Sequence, residues 1–314
     1  MKKTSLTTII ITFLIFACPA FGQTAKLNAL RQKAEQGDAD AQANLGRLYA
    51  KFTGDPAVKR DDAEALKWIR KSAEQGNATG QNALGNMYLV GQGVDKNEVE
   101  ALKWFKLSAA QGNPKAMWNL SDMYAGGKGG LPKDDKTAQE WLQKAFAGYK
   151  KLAEKGDADA QNNIAVMYTE GDGVDKNLPE AQKWFRKAAG QGIAEAQYNL
   201  AHTYVTGPKA SRDPMEAVKW LRKAADQGFA DAQIQLGWMY IDGRGVSKNV
   251  ATGIKWWLKA AEQGDAGGQL QVGKMYFNGR LVEQDKAKAK LWLEKSAAQG
   301  NKEAAKLLES LKEP

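Results

Sequence analysis

Residues 228–264 read GFADAQIQLGWMYIDGRGVSKNVATGIKWWLKAAEQG, and most of the chain repeats this pattern. In the first half of the stretch, apolar residues stand four positions apart on one face of a predicted helix: Ala232, Leu236 and Tyr240. The segment 243–245 is Gly-Arg-Gly, which predicts a turn because glycine adopts the positive φ angles of tight turns. A second predicted helix carries Trp256 and Ala260 on its inner face and ends at the next Gln-Gly. The stretch therefore predicts a two-helix unit.

The marker residues of this unit recur at regular intervals. Each unit begins at a glycine that follows Gln or Lys: Gly37, Gly76, Gly112, Gly156, Gly192, Gly228, Gly264 and Gly300. A tyrosine lies twelve residues after each of the first seven: Tyr49, Tyr88, Tyr124, Tyr168, Tyr204, Tyr240 and Tyr276. A tryptophan lies eight residues before most of the later ones: Trp68, Trp104, Trp184, Trp220, Trp256 and Trp292. Because neither helix can bury its apolar stripe alone, the repetition predicts that adjacent units stack.

The repeated pattern resembles that of the Sel-one-like repeats, which are relatives of the tetratricopeptide repeats. It reads Ala-x-x-x-Leu-Gly-x-Met-Tyr, then Gly-x-Gly-Val, then Ala-x-x-Trp-x-x-Lys-Ala-Ala-x-Gln-Gly, and it covers nearly all of residues 30–314. The resemblance implies an all-α protein, a right-handed α/α superhelical solenoid of about seven two-helix repeats with terminal caps. It also implies a protein-interaction scaffold of a kind often found in the bacterial envelope.

The first residues have the pattern of a secretion signal. Met1-Lys2-Lys3 is positively charged, an apolar run follows over residues 8–17, and small residues lie at 20 and 22. We therefore expect a signal peptide at 1–22, cleavage near Gly22-Gln23, and a periplasmic or secreted protein. The apolar run is short for a membrane span and no later stretch is longer, so no transmembrane span is expected. Cys18 lies in a stretch that loosely resembles a lipoprotein box, which leaves lipidation open.

The remaining chain divides by its repeats. We predict an N-terminal cap helix at 23–37, repeats 1–3 at 38–156, repeats 4–7 at 157–300 and a C-terminal cap helix at 301–314. The third unit has an insertion within 126–156, with seven extra residues between Trp141 and Gly156. Seven residues are almost two helical turns, so the helix should lengthen by about 10 Å and protrude. Phe146 and Tyr149 lie on this extension, which is either functional or merely tolerated.

Composition argues against most catalytic chemistry. The chain has 45 Lys and Arg against 36 Asp and Glu, a net charge of +9, with one Cys and one His. A Ser-His-Asp centre of any redundancy, a Cys-His dyad and a Cys/His zinc cluster are therefore not expected. We predict no enzyme, no cofactor and no metal. A β-lactam hydrolase is the least favoured alternative, because the Ser-x-x-Lys element of serine β-lactamases is absent.

A partner-binding surface is predicted on the first helices. Positions six, ten and thirteen after each starting glycine lie opposite the apolar stripe, so we expect them to face solvent on the inner curve of the solenoid. In repeats 5–7 these positions are largely apolar or aromatic, and the candidate contact residues are Tyr198, His202, Ile234, Trp238, Ile241, Leu270, Lys274 and Phe277, with Trp118 alone in repeat 3. An exposed apolar stripe is typical of an interaction site, although burial of these residues against one another is the alternative. We predict that it binds a segment of an unidentified envelope or secreted protein.

The lysines predict a second, basic surface. They recur on the second helices: Lys67, Lys71, Lys103, Lys183, Lys187, Lys219, Lys223 and Lys259. A solvated outer face is the simplest interpretation. The alternative is an envelope assembly factor that binds acidic polysaccharide or cell-wall components through this face. A periplasmic regulator of a sensor kinase also remains open, whereas export argues against nucleic acid as a partner.

Overall fold

The computed structural model describes residues 19–50, 59–208 and 212–311, and these contain sixteen α-helices and no strand. The helices are α1 (Pro19–Glu35), α2 (Ala39–Ala50), α3 (Asp62–Glu74), α4 (Ala78–Val90), α5 (Glu98–Ala110), α6 (Pro114–Gly126), α7 (Asp135–Glu154), α8 (Ala158–Glu170), α9 (Leu178–Gly190), α10 (Ala194–Thr206), α11 (Pro214–Asp226), α12 (Ala230–Asp242), α13 (Val250–Glu262), α14 (Ala266–Asn278), α15 (Lys286–Ala298) and α16 (Lys302–Ser310). Residues 1–18 of the expected signal peptide, Cys18 among them, lie outside the described residues. None of the described helices is long and apolar enough to cross a membrane.

The helices confirm the predicted all-α solenoid of two-helix repeats. Each repeat consists of an even-numbered first helix, from α2 to α14, and the odd-numbered second helix that follows it. The chain divides into two compact units, Met1–Asn97 with α1–α4 and Glu98–Pro314 with α5–α16. Within each unit, every helix packs against the next one along the chain. The helices α1 and α16 occupy the two positions predicted for caps.

The apolar stripe predicted for repeat 6 lies in the core. Ala232 and Leu236 are fully buried, and Tyr240 is half-buried with its hydroxyl accepting a hydrogen bond from Arg222. Gly237 allows the two helices of the repeat to approach closely. A Cβ at this position would lie 2.9 Å from the carbonyl oxygen of Gly253 and closer still to the Trp257 ring.

In the second helix of repeat 6, the most deeply buried tryptophan is Trp257 and not the predicted Trp256. Trp257 is 2% exposed, and its Nε1 donates to the carbonyl oxygen of Ile234 at 3.1 Å. Trp256 lies at the edge of the core, half-buried, with the ammonium of Lys259 4.1 Å from its ring centroid. The residue after the marker tryptophan is buried throughout the regular repeats: Ile69, Phe105, Phe185, Leu221, Trp257 and Leu293.

The predicted Gly-x-Gly turn also docks one repeat onto the previous one. Gly243 ends α12 with a φ of 73°, and Gly245 has a φ of 70°. Gly245 lies directly against the backbone of Pro214, the first residue of α11, so a Cβ there would clash. The turn therefore requires glycine for its conformation and for this close approach.

Most first helices contain a buried glutamine that joins three successive helices. In repeat 5, Gln197 Nε2 donates to the carbonyl oxygen of Ala189 in α9 at 3.1 Å, and its Oε1 accepts from Gln227 Nε2 after α11 at 2.9 Å. The same two bonds recur in other repeats at Gln42, Gln161, Gln233 and Gln269. In repeat 3 both glutamines are replaced, by Met117 and Lys155.

The elongated second helix of repeat 3 begins in the ordinary place. α7 has 20 residues, whereas α9 and α13 have 13. The backbone N–H of Asp134 donates to the Tyr124 carbonyl oxygen at 2.9 Å, as Asn249 does to Tyr240 at 2.8 Å in repeat 6. The N-terminal half of α7 is therefore aligned with α6 as in a regular repeat.

The extra residues of α7 carry the next repeat instead of protruding. In a regular repeat, such as repeat 6, the turn glycine lies against the first residue of the preceding second helix. In repeat 4 the corresponding Gly173 lies against the backbone of Leu142, which is seven residues beyond the start of α7. Seven residues shift repeat 4 by about 10 Å along α7. Tyr149 is only 3% exposed, and α8 packs against α7. The expected protrusion is thus wrong, because the added turns became packing surface.

Replacing Gly237 by Ala should destabilise the protein by about 1 to 3 kcal/mol, since the new methyl group overpacks the contact with α13. The midpoint of urea unfolding, followed by circular dichroism, measures this effect. Gly190→Ala is the matched control, because a Cβ on Gly190 meets no atom within 4 Å. It should stabilise α9 by about 0.5 to 1 kcal/mol, the usual gain of Ala over Gly in a helix. Equal midpoints for the two variants would contradict the close-approach role of Gly237.

Replacing Gln197 by Leu should cost about 1 to 3 kcal/mol, because the Gln227 amide and the Ala189 carbonyl lose a buried partner. The double variant Gln197→Met/Gln227→Lys reproduces the pair found in repeat 3 and should cost less than the single change. A double-mutant cycle of urea unfolding measures the coupling between the two positions. Strict additivity would show that the two glutamines do not act together.

Candidate partner-binding face

The predicted site residues lie on first helices that adjoin one another. α12 packs against α14, and α14 packs against α16, in addition to their contacts with second helices. Neighbouring α8 and α10 are joined by a hydrogen bond from Asn199 Nδ2 to Asn162 Oδ1 at 3.2 Å. We use "first-helix face" for the surface of α8, α10, α12 and α14 formed by the residues six, ten and thirteen positions after each starting glycine.

Trp238 is the large apolar side chain that this face exposes most. It is 38% exposed, and its ring packs edge-on against Trp257 with centroids 4.6 Å apart. Because Trp257 is itself fixed by its hydrogen bond to Ile234, the exposed ring stands on a rigid support. A rigid, partly exposed aromatic side chain is the residue type that most often anchors a protein interface.

Two of the predicted contact residues are buried. Ile241 and Leu270 are each 7% exposed, so the expectation that they face solvent is wrong. Ile241 packs against Trp257 and Val272, and Leu270 packs against Leu293. The helical wheel placed them opposite the apolar stripe, but each first helix contacts neighbours on several sides. Its buried arc is therefore wider than one stripe.

Tyr198 and His202 lie at one end of the first-helix face with a residue that the sequence interpretation missed. The centroid of the Tyr198 ring lies 5.4 Å from that of the Phe229 ring and 6.4 Å from that of the His202 ring. Burial, followed by the charge of Asp231, raises the pKa of Tyr198 above its ordinary value. His202 is exposed, with Nδ1 3.3 Å from the hydroxyl oxygen of Thr206. The signal for Phe229 in the sequence was its place at the start of a helix, where polar residues are usual.

The other end of the face is held by an ion pair. Lys274 Nζ lies 2.7 Å from Glu303 Oε1 in α16. Phe277 is half-buried, and its carbonyl oxygen accepts from Gln284 Nε2 at 2.8 Å. Ile234 is also half-buried. Thus six of the eight predicted residues in repeats 5–7 remain at least partly accessible.

Trp118 has a packing role at the elongated helix. It is half-buried and contacts Tyr149 edge-on, with ring centroids 6.3 Å apart. Burial raises the pKa of the Tyr149 hydroxyl well above its ordinary value. The pair lies about one turn into α6, whose first residue, Pro114, lies against Gly148 of α7. Trp118 therefore belongs chiefly to the repeat 3 insertion.

The lysines predicted on the second helices are exposed, and many are already engaged. Six tryptophans have the ammonium of the lysine three residues later within 4.9 Å of the ring centroid, in the pairs Trp68–Lys71, Trp141–Lys144, Trp184–Lys187, Trp220–Lys223, Trp256–Lys259 and Trp292–Lys295. Four others pair with a glutamate three residues earlier: Lys67, Lys103, Lys183 and Lys219. Both contacts reduce the charge available to an external ligand.

No group of three or more His, Cys, Asp and Glu side chains within the described ranges is arranged to hold a metal ion. The imidazole of His202 lies beside the hydroxyl of Thr206 at the aromatic end of the face. The Thr206 hydroxyl donates to the carbonyl oxygen of His202 at 2.9 Å. The face as described offers apolar contact with a few polar groups.

A model of the Sel1 repeat matches seven segments of the chain: residues 39–77, 78–113, 114–148, 158–193, 194–229, 230–265 and 266–301. A Sel1 repeat protein from Oxalobacter formigenes has a similar structure, with 33% identity, a TM-score of 0.57, and coverage of 76% of this chain and 94% of that one. A protective antigen of uropathogenic Escherichia coli with an SLR fold is 28% identical, with a TM-score of 0.39 and coverage of 90% and 81%. An immunity protein of Pseudomonas aeruginosa is 25% identical, with a TM-score of 0.42 and coverage of 61% and 68%. The comparison with curated proteins gives no match.

Replacing Trp118 by Ala should destabilise the protein by about 2 to 3 kcal/mol, because it leaves a cavity beside Tyr149. Leu152→Ala is a control on the same elongated helix, since Leu152 is 38% exposed. It should cost less than about 1 kcal/mol. Urea unfolding measures both. If the Trp118→Ala protein were as stable as wild type, the packing role of Trp118 would be wrong and Trp118 would again be a candidate contact residue.

Proposed function

This chain belongs to the Sel1 repeat family, whose members are generally protein-interaction scaffolds, and we propose that it binds a segment of another envelope protein through the first-helix face of repeats 5–7. The observation that carries the proposal is the exposed, rigidly supported ring of Trp238. Tyr198, Ile234 and Phe277 add accessible apolar surface on the same face. Binding is driven by burial of this surface, with Trp238 as the main anchor.

The function that we propose is binding and not catalysis. Its one histidine, His202, contacts Thr206, whose hydroxyl is engaged with the His202 carbonyl oxygen. Covalent catalysis requires a nucleophile that a neighbouring base activates, and a third group that orients this base. The described face is better suited to recognition than to proton transfer.

The proposed location is the periplasm or the exterior of the cell. It is supported by the charged start, the apolar run and the small residues of the first 22 positions. A periplasmic regulator of a sensor kinase is one form that such a binding protein takes. Binding of acidic polysaccharide through the lysines is less favoured, because Trp and Glu side chains already engage them.

Replacing Trp238 by Ala should lower the retention of the partner at least tenfold, since an interface anchor is worth about 2 kcal/mol or more. The test is affinity capture from an envelope extract of the source bacterium, with quantitative mass spectrometry of what the immobilised protein retains. Leu291→Ala is the matched control, because Leu291 is 50% exposed on the second helix α15. It should retain the partner as wild type does. Circular dichroism verifies that both variants are folded.

Equal retention by the Trp238 and Leu291 variants would place the binding surface elsewhere. Retention of acidic glycan that falls with salt and survives Trp238→Ala would favour the assembly-factor alternative.

A further inference from the structure

Two adjacent first helices begin without the polar cap that the others have. The N-cap residue accepts a backbone N–H bond at Asp38, Asn77, Asn113, Asp157, Asp265 and Asn301. At the start of α10 and α12 the residues are Ile193 and Phe229, and neither makes a side-chain cap bond. An apolar N-cap weakens the start of a helix. Repeats 5 and 6 therefore gave up helix stability at neighbouring positions where they gained apolar surface.

Phe229 forms an aromatic seat with the preceding repeat. Its ring lies 5.4 Å from Tyr198, and both side chains are half-buried. Each ring thus keeps an accessible part while the other holds it in place. Asp231, two residues beyond Phe229, is close enough for its charge to act on Tyr198. An apolar surface and a carboxylate therefore meet at the start of α12.

The carboxylate belongs to a row of acidic side chains. The third residue after the starting glycine is acidic and exposed in three successive repeats, at Asp159, Glu195 and Asp231. Among the described residues, no Lys, Arg or His lies within salt-bridge distance of these three carboxylates. We call them the acidic row. They lie on α8, α10 and α12. The Asn162–Asn199 hydrogen bond joins α8 to α10, and the Tyr198–Phe229 ring contact joins α10 to the start of α12.

The acidic row contrasts with the carboxylates of the second helices. There, Glu64, Glu100, Glu180 and Glu216 each pair with a lysine three residues later. The chain as a whole carries a net charge of +9. A run of unpaired carboxylates beside aromatic rings is therefore a local negative surface on a positively charged protein, and it complements a basic ligand.

We propose that the partner segment is basic: a polypeptide stretch in which Lys or Arg residues alternate with apolar residues, lying across the starts of α8, α10 and α12. This proposal rests on the proposed function, specifies the chemistry of its partner and extends the contact surface from repeats 5–7 to the start of α8 in repeat 4. An apolar side chain of the segment packs on Tyr198 and Phe229, and the neighbouring ammonium or guanidinium group pairs with Asp231. The ring of Tyr198 adds a cation–π contact. Glu195 and Asp159 bind the next basic residues along the segment.

The test measures the binding of fluorescein-labelled twelve-residue peptides to the purified protein by fluorescence anisotropy at low salt. One peptide repeats Lys-Phe-Ser, a second has Glu for Lys, and a third has Ala for Phe. The Lys-Phe-Ser peptide should bind at least tenfold more tightly than the Glu peptide and several-fold more tightly than the Ala peptide. Its affinity should fall as salt rises, because exposed charge pairs are screened.

Variants of the protein locate the binding surface. Glu195→Gln/Asp231→Asn should weaken binding of the Lys-Phe-Ser peptide about tenfold. Asp226→Asn, which neutralises an exposed carboxylate at the end of α11, is the matched control and should change it less than twofold. Phe229→Asn should weaken binding several-fold while supplying the missing N-cap, so its urea midpoint should stay close to that of wild type.

Two results would overturn the basic-partner proposal: equal affinity for the Lys and Glu peptides, or unchanged affinity in the Glu195→Gln/Asp231→Asn variant. Tighter binding of the Glu peptide would identify an acidic partner in its place. The scaffold function is judged separately by the Trp238→Ala capture. A captured partner that depends on Trp238 but not on the acidic row would leave the scaffold standing and refute its basic ligand.

Discussion

The stacking of this solenoid depends on a buried glutamine, which is 4% exposed in repeat 5. In repeat 5 the side chain of Gln197 uses its amide hydrogens on the helix before it and its amide oxygen on the helix after it. A buried amide that loses either partner is costly, so the bond pair fixes the order and the spacing of three helices at once. The apolar residues around it supply most of the burial energy but little of this positional information. Repeat 3, where Met117 and Lys155 replace the pair, is also the repeat whose second helix is elongated.

The repeat itself was legible in the sequence because its signals are redundant. The starting glycines, the tyrosines and the tryptophans each predict the same helix pairs, and the bounds of α12 and α13 follow from them. The exposure of single residues was less predictable. Ile241 and Leu270 were assigned by angle on an isolated helix, whereas their burial depends on neighbours from other repeats. Phe229 and Asp231 were missed for the same reason. Phe229 matters through its ring contact with Tyr198 of the preceding repeat, and Asp231 through the effect of its charge on the pKa of the same tyrosine.

The repeats of this chain act as an internal comparison of which positions serve the fold. The glutamine and the small residue at the helix crossing are nearly invariant, and each makes a contact that tolerates little change. The sixth residue after the starting glycine differs in almost every repeat: Ala43, Asn82, Trp118, Asn162, Tyr198, Ile234 and Leu270. Four of these residues are buried, whereas Trp118, Tyr198 and Ile234 stay partly exposed. The stack thus accepts side chains of different size and polarity at this position, as the binding face proposed for the first helices requires.

The elongated α7 shows which changes in length such a stack accepts during evolution. Seven added residues turn a helix through two full turns less about 20°, so the same faces meet the neighbours on both sides. An addition of two or five residues would rotate the following repeat away from its contacts. The connections between helices vary by single residues: eight residues join α6 to α7, whereas seven join α12 to α13. Helices in this protein can therefore grow only by nearly whole turns, whereas the connections within a repeat can change one residue at a time.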